Sequence, residues 1–159
     1  MFLRFLIFKL VETGTADGLG TAALARAWER SHESGSPGMP LSFDVVSDGC
    51  WMLDEHLRTH VRLVQGDTTE TLRRELAERR IDLFVHDSLH TYEHERFELA
   101  PGLDHASPKA VAISDNSHAT TALADLAREA EVTFALYRQR PIGHFYPGAA
   151  LGIAVASTP

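Results

Sequence analysis

A glycine-punctuated segment near the amino terminus, Val11-Glu-Thr-Gly-Thr-Ala-Asp-Gly18, holds the residue types best suited to chemistry. The apolar run from Phe5 to Val11 precedes it and predicts a buried strand, and Thr21 to Trp28 predicts a helix with an Ala/Leu/Trp face. Gly14 and Gly18 permit backbone angles, and a close ligand approach, that a side chain would forbid. Free N–H groups at the helix start favour an anionic ligand group. The segment therefore predicts a cradle for a nucleotide-like cofactor.

The spacing within this segment distinguishes two cofactor classes. Dinucleotide-binding turns follow G-x-G-x-x-G, in which the second glycine lets the pyrophosphate approach. Ala16 stands at that position here, and Glu12 precedes the first glycine, where it would repel a phosphate but attract an amino group. The pattern therefore suits the aminocarboxypropyl end of S-adenosylmethionine, with candidate contacts at Glu12, Gly14, Thr15, Ala16 and Gly18. An ordinary strand-to-helix turn without a ligand is the alternative.

Further acidic residues lie near the ends of other predicted strands. In an open α/β sheet, ligands bind beyond the carboxyl ends of the strands, which makes these acids candidates. Asp44 could hold a ribose diol through two hydrogen bonds, and Asp67 could accept one from an adenine amino group. Helix capping is the alternative for both residues. The corresponding strands are predicted at residues 41–46, 60–65, 81–86 and 110–114.

Alternating strands and helices predict how these residues are positioned. We expect one α/β domain over residues 1–159, a Rossmann-like, doubly wound, mostly parallel seven-stranded sheet with helices on both faces. Val132–Arg138 and Ala149–Ala156 are joined by a Pro/Gly loop too short for a helix, so they predict a C-terminal antiparallel hairpin. Thr68 or Thr69 is expected to cap the helix over residues 70–79. Other helices are expected over residues 51–58, 91–99 and 120–130.

Charge and composition argue against two classes of partner. The formal net charge is -7, whereas binding a nucleic-acid backbone needs clustered basic residues. The apolar amino-terminal run is too short to span a bilayer and has no signal-peptide cleavage site. The single cysteine, Cys50, provides no disulfide framework. We therefore expect a cytoplasmic protein that acts on a small molecule, without nucleic acid or membrane, and that can form a homodimer.

The motifs together resemble those of class I S-adenosylmethionine-dependent methyltransferases, across essentially the whole chain. The resemblance rests on the glycine segment, on Ser42-Phe-Asp44, on Gln65-Gly-Asp67, on the run from Ile81 to Tyr92 and on the final hairpin. It implies that the glycine segment, Asp44, Asp67 and Asp87 form the cofactor site. Such enzymes usually carry helices ahead of the first strand. Here we expect a domain that lacks these covering helices.

A narrower resemblance is to metal-dependent O-methyltransferases of the catechol type. In that group an Asp after the fourth strand and an Asp-Asn pair after the fifth bind magnesium, and Asp87 and Asp115-Asn116 stand at the matching places. If the two strands are neighbours, their ends lie roughly 5 Å apart. A hard divalent cation would then relieve the repulsion between the carboxylates. Capping of the following helices is the alternative for Asp87 and Asn116.

His90 stands where catechol-type enzymes place a lysine base, so the chain departs from that pattern. Asp87-Ser-Leu-His90-Thr-Tyr92 more closely resembles generic class I methyltransferases. His90 is a candidate general base because the imidazole pKa lies near neutrality, and a structural hydrogen-bonding role is the alternative. His86 and His94 share its four-residue spacing, but His86 is expected in a strand, which disfavours a transition-metal site formed by all three.

These observations together predict an S-adenosylmethionine-dependent O-methyltransferase of a small hydroxylated molecule, assisted by Mg²⁺. Asp87 and His90 are the candidate catalytic residues, and Asp87, Asp115 and Asn116 are the candidate metal ligands. One alternative is a non-catalytic binding or assembly domain that retains the fold. Another is a nicotinamide-dependent oxidoreductase, which Ala16 within the glycine segment disfavours.

Overall fold

A computed structural model describes residues 9–32, 38–77 and 80–156. Within these ranges, strands and helices alternate until the last two strands, as predicted. The elements are β1 (Leu10–Thr13), α1 (Leu19–His32), β2 (Leu41–Asp44), α2 (Glu55–Arg58), β3 (Arg62–Gln65), α3 (Thr68–Leu76), β4 (Ile81–His86), α4 (Tyr92–Asp104), β5 (Ala106–Ser114), α5 (Ala122–Glu129), β6 (Thr133–Arg138) and β7 (Ala150–Val155). The predicted part of the first strand before Lys9 lies outside the described residues.

The strands form one seven-stranded sheet in the order β3-β2-β1-β4-β5-β7-β6. β3, β2, β1, β4 and β5 run parallel, and β7 pairs antiparallel with both β5 and β6. The prediction of a mostly parallel, doubly wound sheet with a C-terminal antiparallel hairpin is therefore confirmed. The direction of winding reverses between β1 and β4, which is where ligands bind in such sheets.

Right-handed crossovers on either side of this reversal place α1 and α2 on one face of the sheet and α3 to α5 on the other. Two hydrophobic clusters agree with that arrangement. On the first face, Ala25 of α1 packs with Cys50, Leu53, Leu57 and Val61. On the second face, side chains of the central strands pack against the three helices, including Phe43, Phe84, Leu72, Leu99 and Leu123. Each fully buried large side chain contributes roughly 1.5–3 kcal/mol.

Some predicted element boundaries were wrong, for local reasons. α2 begins at Glu55 rather than Trp51, because Cys50 has a positive φ of 59° and Asp54 caps the helix by accepting from Leu57 N at 2.7 Å. Asp67 caps α3, whereas Thr68 or Thr69 had been expected.

Among the described helices, none combines the length and apolar character that a bilayer crossing requires.

α4 and β5 are longer than predicted. α4 continues through Pro101 to Asp104, where Gly102 fits against the Phe84 ring: a Cβ there would lie 2.7 Å from Cδ2 of Phe84. β5 begins at Ala106, and its pairing with β4 shifts register between Ile81 and Leu83. The extension of α4 packs on β4 from the face occupied by α3 to α5, whereas the extension of β5 pairs Ala106 with Ile81 of β4 within the sheet.

Candidate functional site

The carboxyl ends of four neighbouring parallel strands form a common rim. Thr13 of β1 pairs with Phe43 of β2 and with His86 of β4, and His86 pairs with Ser114 of β5. The residues that follow these positions are therefore side by side. The structure thereby brings together Gly14, Asp44, Asp87 and Asp115, as the sequence predicted for acidic residues at strand ends.

The glycine segment crosses directly over the end of β4. Gly14 has a φ of +85°, and a Cβ on it would lie 2.0 Å from the carbonyl oxygen of Asp87. Gly18 has a φ of +96°, and a Cβ there would lie 2.9 Å from Cα of Cys50. The predicted need for unusual backbone angles is confirmed. A Cβ on either glycine would point at neighbouring chain, so these close approaches are made within the protein, and a close approach by a ligand stays a prediction.

Asp44 binds the backbone of the glycine segment. Its Oδ2 accepts hydrogen bonds from Thr15 N at 2.8 Å, Thr15 Oγ1 at 3.0 Å and Ala16 N at 2.9 Å, and its Oδ1 accepts one from Val46 N at 2.9 Å. Burial raises the pKa of Asp44, but these hydrogen bonds outweigh burial and hold it below its ordinary value. Asp44 therefore orders the segment that the sequence assigned to the cofactor.

Glu12 lies beneath the first turn of α1. It is 2% exposed, and its Oε2 accepts a hydrogen bond from the Thr21 hydroxyl at 2.6 Å. Gly20 leaves room for the carboxyl, since a Cβ on this glycine would lie 2.8 Å from Oε1. Burial raises the pKa of Glu12, and the hydrogen bond from Thr21 opposes that rise. Direct contact between Glu12 and a cofactor amino group stays a prediction.

Asp67 lies at the end of β3 and serves as the N-cap of α3. Its Oδ1 accepts from Thr69 N at 2.8 Å. Hydrogen bonds from the Thr69 side chain and backbone lower the pKa of Asp67. The capping alternative is therefore what the structure shows, and a contact with adenine stays a prediction.

Asp87, His90 and Asp115 converge at the ends of β4 and β5. One ligand atom from each of the three lies within 4.8 Å of the others. His90 Nε2 is 3.5 Å from Asp87 Oδ1 and 3.2 Å from the Asn116 amide nitrogen. Burial raises the pKa of Asp87, repulsion from Asp115 raises it further, and His90 opposes both. The arrangement is that of a small acidic site with one imidazole.

Helix capping does not account for these residues. The N-cap of α4 is Thr91, and the N-cap of α5 is Thr121, so neither Asp87 nor Asn116 caps the helix that follows it. Asn116 has a φ of +50°, a left-handed conformation that turns the chain directly after Asp115. The capping alternative raised by the sequence is therefore wrong for both residues.

Beneath the rim is a buried carboxyl that the sequence analysis missed. Glu98 of α4 is fully buried and accepts hydrogen bonds from the hydroxyls of Thr13 at 2.6 Å, Thr68 at 2.6 Å and Ser88 at 2.7 Å. It thus ties β1, α3 and the loop after β4 to α4. The available signal was the presence of hydroxyl residues at three predicted element ends, which are the donors a buried carboxyl needs.

The neighbouring Glu95 has the same role on the β5 side. It is 1% exposed and accepts from the Ser114 hydroxyl at 2.7 Å and from the Thr120 hydroxyl. Glu95 and Glu98 are three residues apart and therefore share a helix face. A charged pair at that spacing is usually solvent-exposed, and only the packing of α4 under the rim shows otherwise.

The three histidines with four-residue spacing do not converge on one ligand. His86 Nε2 lies 3.3 Å from Glu98 Oε2, and His94 Nε2 lies 2.9 Å from Glu98 Oε1, whereas His90 faces Asp87. Burial lowers the pKa of His86, which favours its neutral form. The three imidazoles therefore do not share a transition-metal site. The sequence had disfavoured such a site because His86 was expected in a strand, where it lies.

Two open cavities lie at the rim. One lies on the β2 side of the β1 and β4 ends, and the other lies on the β5 side. The first, of about 190 Å³, lies at the β2 and β3 ends and is lined by residues that include Thr15, Asp44, Cys50 and Gln65. The second, of about 660 Å³, is lined by residues that include His90, Tyr92, His118 and Arg138. In strand order, the end of β4, which Asp87 follows, lies between the two cavities.

A family model described as a methyltransferase domain matches residues 11–117, which include the glycine segment and the Asp87–Asp115 cluster. The chain belongs to this methyltransferase family. It is a class I S-adenosylmethionine-dependent methyltransferase, which confirms the resemblance seen in the motifs. A search of curated protein sequences gave no match.

Solved structures share the fold of this methyltransferase at low sequence identity. An O-methyltransferase from Bacillus cereus, in complex with SAH, has a TM-score of 0.69 and 17% identity over 96% of this chain and 75% of its own. The O-methyltransferase TomG from Streptomyces achromogenes, in complex with SAM and involved in tomaymycin synthesis, has a TM-score of 0.68 and 16% identity, covering 96% and 74%. An rRNA methylase from Streptococcus thermophilus has a TM-score of 0.67 and 15% identity, covering 94% and 87%.

Proposed function

We propose that this methyltransferase transfers the methyl group of S-adenosylmethionine to a hydroxyl of a small molecule, with Mg²⁺ held by Asp87, Asp115 and Asn116. His90 is the proposed general base. The observation that carries the proposal is the convergence of Asp87, His90 and Asp115 between two cavities at the rim. The O-methyltransferase neighbours support the same reaction class.

The donor set fits a hard divalent cation. Two carboxylates with an adjacent amide oxygen are the ligand types that Mg²⁺ takes. Burial and repulsion from Asp115 raise the pKa of Asp87, and a positive charge between the two carboxylates would relieve that repulsion. When bound, the cation would make a substrate hydroxyl easier to deprotonate.

His90 is placed to receive the hydroxyl proton. Nε2 of His90 lies 3.2 Å from the Asn116 amide nitrogen. With the ring proton on Nδ1, Nε2 accepts from this amide and carries a lone pair. This is the proton-accepting form of imidazole. His90 also lines the larger cavity, so its imidazole would face a substrate bound there. Asp87, 3.5 Å from the same nitrogen, would stabilise the imidazolium that forms.

The smaller cavity suits the adenosyl part of the cofactor, which supplies an electrophilic methyl group when bound. Asp44 lines this cavity, and its Oδ1 accepts one hydrogen bond among the described contacts, from Val46 N. A carboxylate oxygen can accept more than one, so Oδ1 retains capacity for a ribose hydroxyl. Val64 and Cys50 provide apolar walls for the adenine ring.

Methyl transfer from isotopically labelled S-adenosylmethionine to a panel of catechols and other polyhydroxylated small molecules tests this proposal. We expect turnover that needs Mg²⁺ and is lost on chelation. Asp115→Asn should lower the rate by roughly 100-fold, the size of effect that metal-site changes produce. Asp104→Asn, an exposed acid at the end of α4, is the matched control and should leave the rate unchanged.

Three results would contradict the proposal in different ways. Turnover that resists the chelator and survives in Asp115→Asn would remove the metal from the mechanism. Labelling of rRNA but of no small molecule would place the enzyme with the RNA methylases that share its fold, against the expectation from its net charge of -7. A non-catalytic domain, which the comparisons do not favour, would bind the cofactor but label neither class.

A further inference from the structure

A second cluster of metal-ligating side chains lies on the sheet face covered by α1 and α2. Glu29 belongs to α1, His56 to α2, and His60 to the turn after α2. α1 starts at the rim with Leu19, and Glu29 is ten residues further along. The cluster is therefore roughly 15 Å from the rim along the helix axis. It is separate from the Asp87–Asp115 site.

The three side chains present their donor atoms to a common point. Glu29 Oε1 lies 2.7 Å from His56 Nε2 and 3.8 Å from His60 Nδ1, and all three atoms are within 4.8 Å of one another. With metal–ligand bonds of about 2.0–2.2 Å, the donors of a tetrahedral zinc site are roughly 3.3 Å apart. The observed separations bracket that value, so side-chain rotations alone would complete the site.

His60 supplies a second reason to expect a ligand here. Its Nδ1 is buried and has no hydrogen-bond partner among the described residues, although it points toward Glu29. A buried polar atom without a partner costs free energy. The Glu29–His56 hydrogen bond accounts for one imidazole only. A metal ion bound to both imidazoles would satisfy the second.

The backbone that carries the two histidines is well anchored. Leu57 and Val61, each next to one of the histidines in sequence, are buried against Ala25 of α1. Asp54 caps α2, and the Arg58 guanidinium donates to the Cys50 carbonyl at 2.7 Å. The site is thus held by packed residues on both sides, as a preorganised metal site requires.

We propose that Glu29, His56 and His60 bind a borderline divalent transition-metal ion, with Zn²⁺ as the best fit, and that the ion links α1 to α2. Two imidazoles and one carboxylate suit zinc, whereas Mg²⁺ takes oxygen ligands. The His56 side chain is 60% exposed, which leaves an open side for a water ligand. Arg26 pairs with Glu29 Oε2 at 2.9 Å and leaves Oε1 to the metal.

The test is a Zn²⁺ titration of untagged protein that has been stripped of metal, in competition with a chromophoric chelator. We expect one ion per chain at this site and at least tenfold weaker binding in His56→Gln and in His60→Gln. Because His56 is exposed, His56→Gln should keep the fold even if His60→Gln does not. His144→Gln, in the exposed loop before β7, is the matched control and should bind as wild type.

Two further measurements identify the site. Co²⁺ in place of Zn²⁺ should give the visible absorption of a four-coordinate site, and that signal should vanish in His56→Gln. Asp115→Asn should leave it intact, because it changes the rim alone. Zn²⁺ affinity unchanged in both histidine variants, or lost in Asp115→Asn instead, would overturn the proposal.

Discussion

Replacing Gly14 with alanine tests the close crossing of the glycine segment over β4. At this position the new Cβ would lie 2.0 Å from the Asp87 carbonyl oxygen, at a backbone φ of +85°. Because an unstrained contact needs about 3.5 Å, the two backbone segments must separate by roughly 1.5 Å. The substitution therefore adds both backbone strain and a steric clash.

Gly143→Ala separates these two costs. Gly143 also has a positive φ, +67°, but a Cβ there would meet nothing within 4 Å. A left-handed alanine costs roughly 1–2 kcal/mol, partly offset by about 0.4–1 kcal/mol from the less flexible unfolded chain. Gly14→Ala carries the same balance plus roughly 1–3 kcal/mol for overpacking. Because both positions have a positive φ, the difference between the two variants comes mainly from the clash.

Thermal unfolding followed by circular dichroism is the assay. For a domain of this size, we expect Gly14→Ala to melt roughly 2–12 °C below Gly143→Ala. Displacement of Asp87 should also lower methyl transfer by about 100-fold, since an error of about 1 Å in positioning has effects of that size. Equal melting temperatures for the two alanine variants would refute the described crossing of the two segments.

Two further predictions concern buried carboxyls. The pKa of Glu12 is raised, so its stabilising effect is complete at low pH and is lost as pH rises through the folded-state pKa. Glu12→Gln should therefore gain stability relative to wild type as the pH rises above about 4, the ordinary pKa of a glutamate, and a pH-independent difference in melting temperature would contradict this. Glu98→Ala should lower the free energy of unfolding by roughly 3–5 kcal/mol, because three hydroxyls lose their buried acceptor. Glu93→Ala, at an exposed position of the same helix, is the control and should change it by no more than about 0.5 kcal/mol. Denaturant unfolding measures both values. Similar values for the two variants would mean that Glu98 is solvated.

The polar network under the rim connects stability to the site. Glu98 accepts from Ser88, which is the residue between Asp87 and the turn that carries His90. Glu95 accepts from Ser114, which directly precedes Asp115. The two loops with the candidate metal ligands are therefore each hydrogen-bonded to α4 from below. Such support holds site residues in a defined geometry.

Local sequence patterns determined the architecture and the rim residues. Apolar runs of strand length, broken by turns and helical segments, were enough to predict the parallel sheet and the antiparallel hairpin. Because parallel strands end at one edge of a sheet, the positions of Asp44, Asp87 and Asp115 near strand ends already predicted that they would be neighbours. The positive φ angles of Gly14 and Gly18 were likewise expected from the turn alone.

The partners of those residues were decided only by the tertiary structure. A single sequence carries no signal for contacts between distant segments, such as Asp44 with the Thr15 amide or Gly14 with the Asp87 carbonyl. Whether Glu98 faces water or the core depends on which side of α4 packs on the sheet, and its helical spacing fits either. The Glu29–His56–His60 cluster forms only when α1 and α2 pack together. Local propensity acts over a few residues, whereas burial and side-chain pairing are properties of the assembled layers.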